Sequence, residues 1–430
     1  MPRLLSGHPR SVAVLLLLAL AVLVSPARAA VQAIFIAPLD TPGIVTVRVI
    51  IPYTAEKPGL AHFMEHLVWH SAFRGKVKLA GPHHNAFTLP GTVVYELSGP
   101  PSELNDTLRT LARVFEPIRL ERDFAIAERG VVRREYDFRL TGKPNLKALE
   151  AMQAFLYAGN AIANSVMGTP DEIEALRIED AMALQEATHR PERAVLMAGG
   201  DITAEKLTAA LAAVKFPAMR PLASLQPVPF TLAPPVEKVF AFPEDAAAPR
   251  MLLCKVVELP EPVSYDLLYL QSQLLRDILL SGLQGGLAKP LRLDNFIART
   301  FELSFNVHDE RHAEFCIFAE PDAGIGFAAL REAVEGALAE SAKGIPQATF
   351  ARVLKRLRAA WPDPSDRPAN LEAMSQHMFD RLLFMRVPLD EAGSRALMDQ
   401  LEPRAVDRLI AAVAGPGRTA ISLIGKDPAP

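Results

Sequence analysis

The chain has 430 residues, half of them hydrophobic, and a formal net charge of −3 at pH 7. This length is too great for one hydrophobic core and predicts two domains. A mildly acidic chain without basic clusters is not expected to bind nucleic acid, and its two cysteines exclude a disulfide-rich scaffold.

The first 29 residues have the features of a secretory signal peptide. Arg3 and Arg10 form a basic start, Val12 to Val24 is a run of 13 apolar residues, and Ala27-Arg28-Ala29 is an A-x-A cleavage sequence. We therefore expect a mature protein that begins near Ala30 and is periplasmic or secreted. No later segment approaches the roughly 20 apolar residues of a membrane span, so none is expected.

Strands predicted at 32–36 and 44–51 lead to a predicted helix at 58–72 that contains His62-Phe63-Met64-Glu65-His66. His62 and His66 are four residues apart, so on a helix they lie on one face and can bind a single metal ion. Neutral imidazole is a preferred zinc ligand, and Glu65 is close enough to accept a proton from a water bound to such a metal. The order H-x-x-E-H is the inverzincin signature. A lone pair of helical histidines can also serve packing alone.

A second predicted helix, at about 121–140, carries Glu128 and Glu135, which are two helical turns apart and share a face. Either could complete a metal site, although a solvated charged face is the alternative, and the default for Glu128 taken alone. His70 would lie about 12 Å along the helix axis from His62, too far to bind the same ion. We interpret His70 as a residue at the rim of the site or behind its ligands.

The remaining elements repeat the same pattern in two halves, separated by a proline-rich linker at 216–235. The predicted domains are 30–215 and 236–430, and each ends with a similar strand followed by glycine. Cys254 and Cys316 lie in strand-like runs of the second half and could pair or stay as buried thiols. A strand is predicted at 92–97, and helices are predicted at 102–115, 145–157, 170–188, 203–214, 265–281, 324–342, 347–360, 368–385 and 404–413.

In four segments the chain resembles the M16 metallopeptidases, the family of pitrilysin and the mitochondrial processing peptidase. Together these segments cover about the first 170 residues of the mature chain. The resemblance implies an α+β fold of two homologous M16-like domains, each a mostly antiparallel sheet with packed helices, which face each other across a chamber. The four segments are His62-x-x-Glu65-His66, Glu128 to Glu135, Asn85-Ala86-Phe87-Thr88 with Thr92 to Tyr95, and Ala194 to Asp201.

The same resemblance implies the roles of the site residues. His62, His66 and Glu135 would bind one Zn²⁺ per chain, Glu65 would be the general base, and Glu128 would support the ligands from behind. A peptide substrate would lie as an added strand along Asn85 and Ala86. The implied function is a zinc-dependent endopeptidase that hydrolyses peptides or unfolded segments. The alternatives are a non-catalytic assembly or peptide-binding subunit, and a metal-binding protein that hydrolyses nothing.

Two features depart from the family. His66 and Glu135 are 69 positions apart, fewer than in most relatives, and the shortage falls between Trp69 and Gly81. This leaves the ligands intact, and the departure falls on the wall of the cleft.

The second departure concerns the Arg and Tyr that active relatives take from the C-terminal half or from a partner to hold the substrate carbonyl. Leu303 or Phe305 stands where Tyr is expected, and no tyrosine follows Tyr269. We therefore expect a heterodimer with a second M16-like subunit that supplies both residues. The competing arrangement is a homodimer in which Arg299 or Arg311 is among the replacements.

Overall fold

The computed structural model describes residues 34–37, 42–73, 83–219, 230–243, 248–360, 379, 382, 386 and 391–428. The predicted signal peptide, most of the shortened 69–81 region, half of the proline-rich linker and most of the helix predicted at 368–385 lie outside these residues. Within the described part of the chain, no helix combines the length and apolar character needed to cross a membrane.

Each half of the chain builds a five-stranded sheet, and the two sheets have the same strand order. In the first sheet the order is β1-β5-β2-β4-β3, and in the second it is β6-β10-β7-β9-β8. The pairs β1–β5 and β6–β10 are parallel and the other pairs are antiparallel. The predicted α+β fold, with two similar, mostly antiparallel sheets, is confirmed. The strands are β1 (Ile34–Ala37), β2 (Val45–Pro52), β3 (His83–Leu89), β4 (Thr92–Gly99), β5 (Val195–Gly200), β6 (Glu237–Phe242), β7 (Arg250–Glu258), β8 (Ala298–Val307), β9 (His312–Pro321) and β10 (Arg418–Ile424).

Most of the helices lie close to their predicted bounds. They are α1 (Leu60–Phe73), α2 (Leu104–Ala112), α3 (Arg122–Leu140), α4 (Pro144–Leu156), α5 (Pro170–Glu174), α6 (Ile178–Thr188), α7 (Ala204–Val214), α8 (Tyr265–Leu280), α9 (Phe327–Ser341), α10 (Gln347–Ala360), α11 (Glu391–Met398) and α12 (Pro403–Ala414). The glycine-rich segment after Leu280 forms a turn that follows α8, and α11 was not predicted.

The single helix predicted at 170–188 is wrong, because the chain forms two helices there. A capping box between Thr169 and Glu172 fixes the start of α5. The chain then leaves the helix around Leu176, whose side chain is buried and whose carbonyl oxygen accepts a hydrogen bond from Arg129 Nη1 at 2.9 Å. This tertiary contact satisfies a backbone group outside the helix, and helical periodicity alone cannot reveal it.

Three apolar clusters hold the layers together. In the first half, α1 packs on the sheet through Phe63, Met64 and Leu67, and in the second half α8 is buried in the same way. The third cluster joins the halves, since α4 of the first half packs against the second sheet around Cys254 and Cys316. These cysteines lie opposite each other on β7 and β9 and form a disulfide, with Cα atoms 4.1 Å apart.

Candidate metal centre

Gly59 fixes where α1 begins and therefore which residues of this helix face inward. Its φ of +75° is unfavourable for residues with a Cβ atom, and a Cβ there would lie 2.8 Å from the carbonyl oxygen of Met167. The Gly59 carbonyl accepts the amide of Phe63 at 3.0 Å, which continues the backbone into the helix. From this start, His62 and Glu65 both fall on the buried side of α1.

Three side chains converge where α1 and α3 face each other: His62 and His66 from α1 and Glu135 from α3. His62 Nε2 lies 3.2 Å from His66 Nε2 and 3.4 Å from Glu135 Oε2, and His66 Nε2 lies 3.7 Å from Glu135 Oε1. Ligand atoms about 2.0–2.1 Å from a tetrahedral zinc ion are roughly 3.3 Å from one another. The structure therefore brings the three predicted ligands together at a spacing that suits one small divalent cation, and their N, N and O donor set fits zinc.

Glu128 contacts His66 on the side of the ring away from the three converging atoms. Its Oε1 atom is 2.8 Å from His66 Nδ1 and 3.3 Å from His70 Nε2. The hydrogen bond with His66 is the main cause that lowers the pKa of Glu128, and burial opposes it. An acceptor at Nδ1 makes that nitrogen the protonated one, which leaves Nε2 free to bind a metal. His70 contacts Glu128 from a half-exposed position, so its interpretation as a residue behind the ligands agrees with the structure.

Glu65 is buried beside the same group. Burial raises its pKa, while the charges of His62 and His66 and a hydrogen bond from Thr88 oppose that rise. Thr88 Oγ1 lies 3.1 Å from Glu65 Oε2, so the threonine hydroxyl donates a hydrogen bond to one oxygen of the carboxylate. A desolvated carboxylate with a raised pKa is a better proton acceptor than one in water, provided that it remains ionised.

The predicted substrate strand is β3, which forms the edge of the first sheet. Asn85 is exposed and Ala86 is half buried, and neighbouring side chains of a strand point to opposite faces of the sheet. Ala86 packs on the first-half core, as does α1, while Phe87 on the other face contacts Phe379. An edge strand can accept an added strand, so the position of Asn85 and Ala86 is compatible with peptide binding there.

Sequence reasoning missed the polar contacts beneath the site. The Tyr95 hydroxyl is 2.7 Å from His189 Nε2, and both side chains are buried. Burial lowers the pKa of His189 to about 3, so this ring is neutral. Burial and the nearby Glu65 charge raise the pKa of Tyr95 well above its usual value. Tyr95 and Thr88 belong to segments that resemble the family, but their spacing in the sequence did not predict which side chains they contact.

The second half offers no equivalent group at the positions where a tyrosine was expected. Leu303 and Phe305 are buried in the second-half core. Arg299 Nη2 is 2.8 Å from Glu320, and Arg311 Nη2 is 3.0 Å from the carbonyl oxygen of Pro260, so both arginines are engaged within their own chain.

A second set of potential metal ligands occurs in the described residues. Cys254, Glu314 and Cys316 place ligand atoms within 4.8 Å of one another. Because the two sulfur atoms form the disulfide, they are not available as thiolate ligands.

The structure combines a His-His-Glu group, at a spacing that suits a metal ion, with an α+β scaffold of two similar sheets. The family model described as Insulinase (Peptidase family M16) matches residues 53–170, which include the three residues of this group and the adjoining Glu65. This match, together with the fold, supports membership of the M16 peptidase family.

Relatives and solved structures agree with this membership. The chain is 25% identical over 161 residues to a probable mitochondrial-processing peptidase subunit beta from Schizosaccharomyces pombe, and this match spans 36% of the chain and 35% of the relative. The periplasmic protease PqqL from Escherichia coli superposes with a TM-score of 0.70 and 16% identity over 91% of this chain and 46% of PqqL. A peptidase M16 inactive domain from Pseudomonas fluorescens gives a TM-score of 0.68 and 15% identity over 91% and 94% of the two chains. At these identities the structural matches establish the fold alone.

Proposed function

We propose that this chain is the zinc-binding subunit of an endopeptidase that acts on peptides or unfolded segments in the periplasm or outside the cell. The observation that carries the proposal is the spacing of His62, His66 and Glu135, which matches one tetrahedral zinc ion. Glu65 lies beside this group in a buried position that suits a general base. The predicted signal peptide supports the location.

The chain's own residues would divide the work of hydrolysis. Zinc, when bound, supplies polarisation of the scissile carbonyl and lowers the pKa of water towards about 7. Glu65 accepts a proton from the attacking water and returns one to the leaving amine. Glu128 holds the His66 ring in orientation, and the outer edge of β3, the last strand of the sheet among the described residues, aligns the peptide backbone beside the base.

A second M16-like subunit would complete the active site. The positions where tyrosine was expected hold Leu303 and Phe305, both in the core, and Arg299 is paired with Glu320. Loss of one donor to the developing oxyanion typically lowers the rate by about 10²- to 10³-fold. PqqL supports this arrangement, because our chain superposes on slightly less than half of that protein. We therefore favour the heterodimer over the homodimer.

The first experiment compares zinc content and peptidase activity of the purified mature chain, alone and with its co-purifying partner. Zinc bound at one ion per chain, slow cleavage alone and faster cleavage with the partner are expected. Full activity of the chain alone would contradict the heterodimer. The likeness to an inactive M16 domain makes a non-catalytic subunit the second candidate, and zinc binding without any cleavage in the assembly would favour it.

Substitutions then separate the roles within the group. Glu65→Gln should keep zinc while turnover falls by several orders of magnitude, since it removes the base but no ligand. His62→Ala and Glu135→Ala should lose both zinc and activity. Near-normal turnover of Glu65→Gln in the active assembly would show that Glu65 is not the base.

A further inference from the structure

We propose that Thr88 is a positioning residue that aims the Glu65 carboxylate, which makes the substrate-binding strand part of the base machinery. The proposal deepens the peptidase function above and rests on it. Its starting observation is the hydrogen bond from Thr88 Oγ1 to Glu65 Oε2, at 3.1 Å.

The hydrogen bond fixes one end of a side chain that needs a defined orientation. A carboxylate has two oxygen atoms, and a donor held at Oε2 fixes the plane of the group and favours Oε1, which lacks this donor, as the oxygen that accepts a proton. Glu65 is 95% buried, so its carboxylate has little water to hold it in place. Threonine is β-branched and has few χ1 rotamers, so it presents its hydroxyl with less conformational freedom than serine.

Thr88 also links the base to the strand where the peptide is expected to bind. Ala86 and Thr88 are two residues apart on β3, so both side chains point to the face packed against α1. In the pairing with β4, Ala86 lies opposite Tyr95 and Thr88 opposite Val93, both fully buried. A peptide that adds to the free edge of β3 would restrict this strand and, through Thr88, the orientation of Glu65.

The kinetic test compares Thr88→Val, which has nearly the same shape without the donor, with Thr88→Ser, which keeps the donor. In the active assembly, Thr88→Val should lower kcat by about 10- to 100-fold, part of the roughly 10²- to 10⁴-fold that a positioned general base contributes, while zinc content and KM stay near wild type. Thr88→Ser should recover most of that loss. The matched control is Thr46→Val, which removes the 2.8 Å hydrogen bond between Thr46 and Ser98 elsewhere in the same sheet and should leave kcat unchanged.

A wild-type kcat in Thr88→Val, or an equal loss in Thr88→Ser, would overturn the positioning role while the proposed peptidase function stands. If wild type cleaves nothing in any assembly, the proposed function fails instead.

A second measurement does not need activity. Urea unfolding of the metal-free chain should show that Thr88→Val lowers the midpoint more in the wild-type background than in Glu65→Met. Equal shifts in both backgrounds would show that the hydrogen bond is not formed, and would overturn the proposal independently of catalysis.

Discussion

Replacement of Glu128 by alanine tests how the chain prepares His66 for a metal. Glu128 Oε1 is 2.8 Å from His66 Nδ1 in a buried position, so the variant leaves the imidazole without the acceptor that fixes its tautomer and ring orientation. Loss of such a partner typically weakens metal binding by about 10- to 100-fold, which corresponds to about 1.4–2.7 kcal/mol. We expect the zinc dissociation constant of Glu128→Ala to rise by this factor.

The structure also predicts the size of two related effects. His70 reaches the same Glu128 oxygen at 3.3 Å from a half-exposed position, so His70→Ala should weaken zinc binding less than Glu128→Ala does. Asp123 is an exposed carboxylate near the start of the same helix, and Asp123→Ala should change zinc affinity little.

The assay is competition for zinc between each purified chain and a chromophoric chelator, and it needs neither partner nor substrate. Circular dichroism of the metal-free variants checks that the overall helix content is retained. Wild-type affinity in Glu128→Ala would refute the orienting role. An equal loss in Asp123→Ala would show that net charge, rather than contact with His66, sets the affinity.

Three further predictions concern stability. Burial lowers the pKa of His189 from 6.5 to about 3, so the folded state keeps the ring neutral while the unfolded chain takes up a proton below pH 6.5. The corresponding stability is complete above about pH 6.5 and declines as the pH falls towards 3. Between pH 7 and pH 5, wild type should therefore lose about 2 kcal/mol more than His189→Gln, measured by urea unfolding, and an equal loss would contradict the assignment. Reduction of the disulfide between Cys254 and Cys316, which are 62 positions apart, should cost about 4 kcal/mol by loop entropy, with the double Cys→Ala variant as a control that should not respond to reductant. Gly59→Ala should lower thermal stability more than Gly142→Ala, because both have positive φ but only a Cβ at 59 meets a backbone atom; equal shifts would leave φ strain as the sole cause.

How much of the site could be predicted depended on distance along the chain. His62 and His66 are one helical turn apart, so their spacing alone predicts a shared face. Glu135 is on another helix, 69 positions beyond His66, and its place among the ligands came from family resemblance. Thr88 contacts Glu65 through strand-to-helix packing, which has no signature in local spacing, and this contact required the structure.

The fold shows the same limit. Repetition of a similar strand at the end of each half predicted the internal duplication, and the two identical strand orders agree with it. The pairing of Cys254 with Cys316 could not be decided from sequence because it depends on β7 and β9 being neighbours, although β8 lies between them in the chain. The break around Leu176 was invisible for a similar reason, since the side chain that satisfies its carbonyl comes from α3.

Comparison of the two halves bears on why α1 carries the polar side chains of His62, Glu65 and His66, for which a bound ion is the explanation we favour. In each half, a helix follows the central strand and packs on the sheet, as α1 does after β2 and α8 after β7. The second-half helix fills its buried side largely with apolar residues such as Leu270, Leu274 and Ile278. The scaffold therefore does not need buried histidine or glutamate at this place to fold. Burying ionisable side chains has a free-energy cost unless partners compensate for it, and a cation compensates for two imidazoles and a carboxylate at once. The difference between the two copies thus favours metal binding over packing as the role of His62, with Glu65 buried beside the ligands.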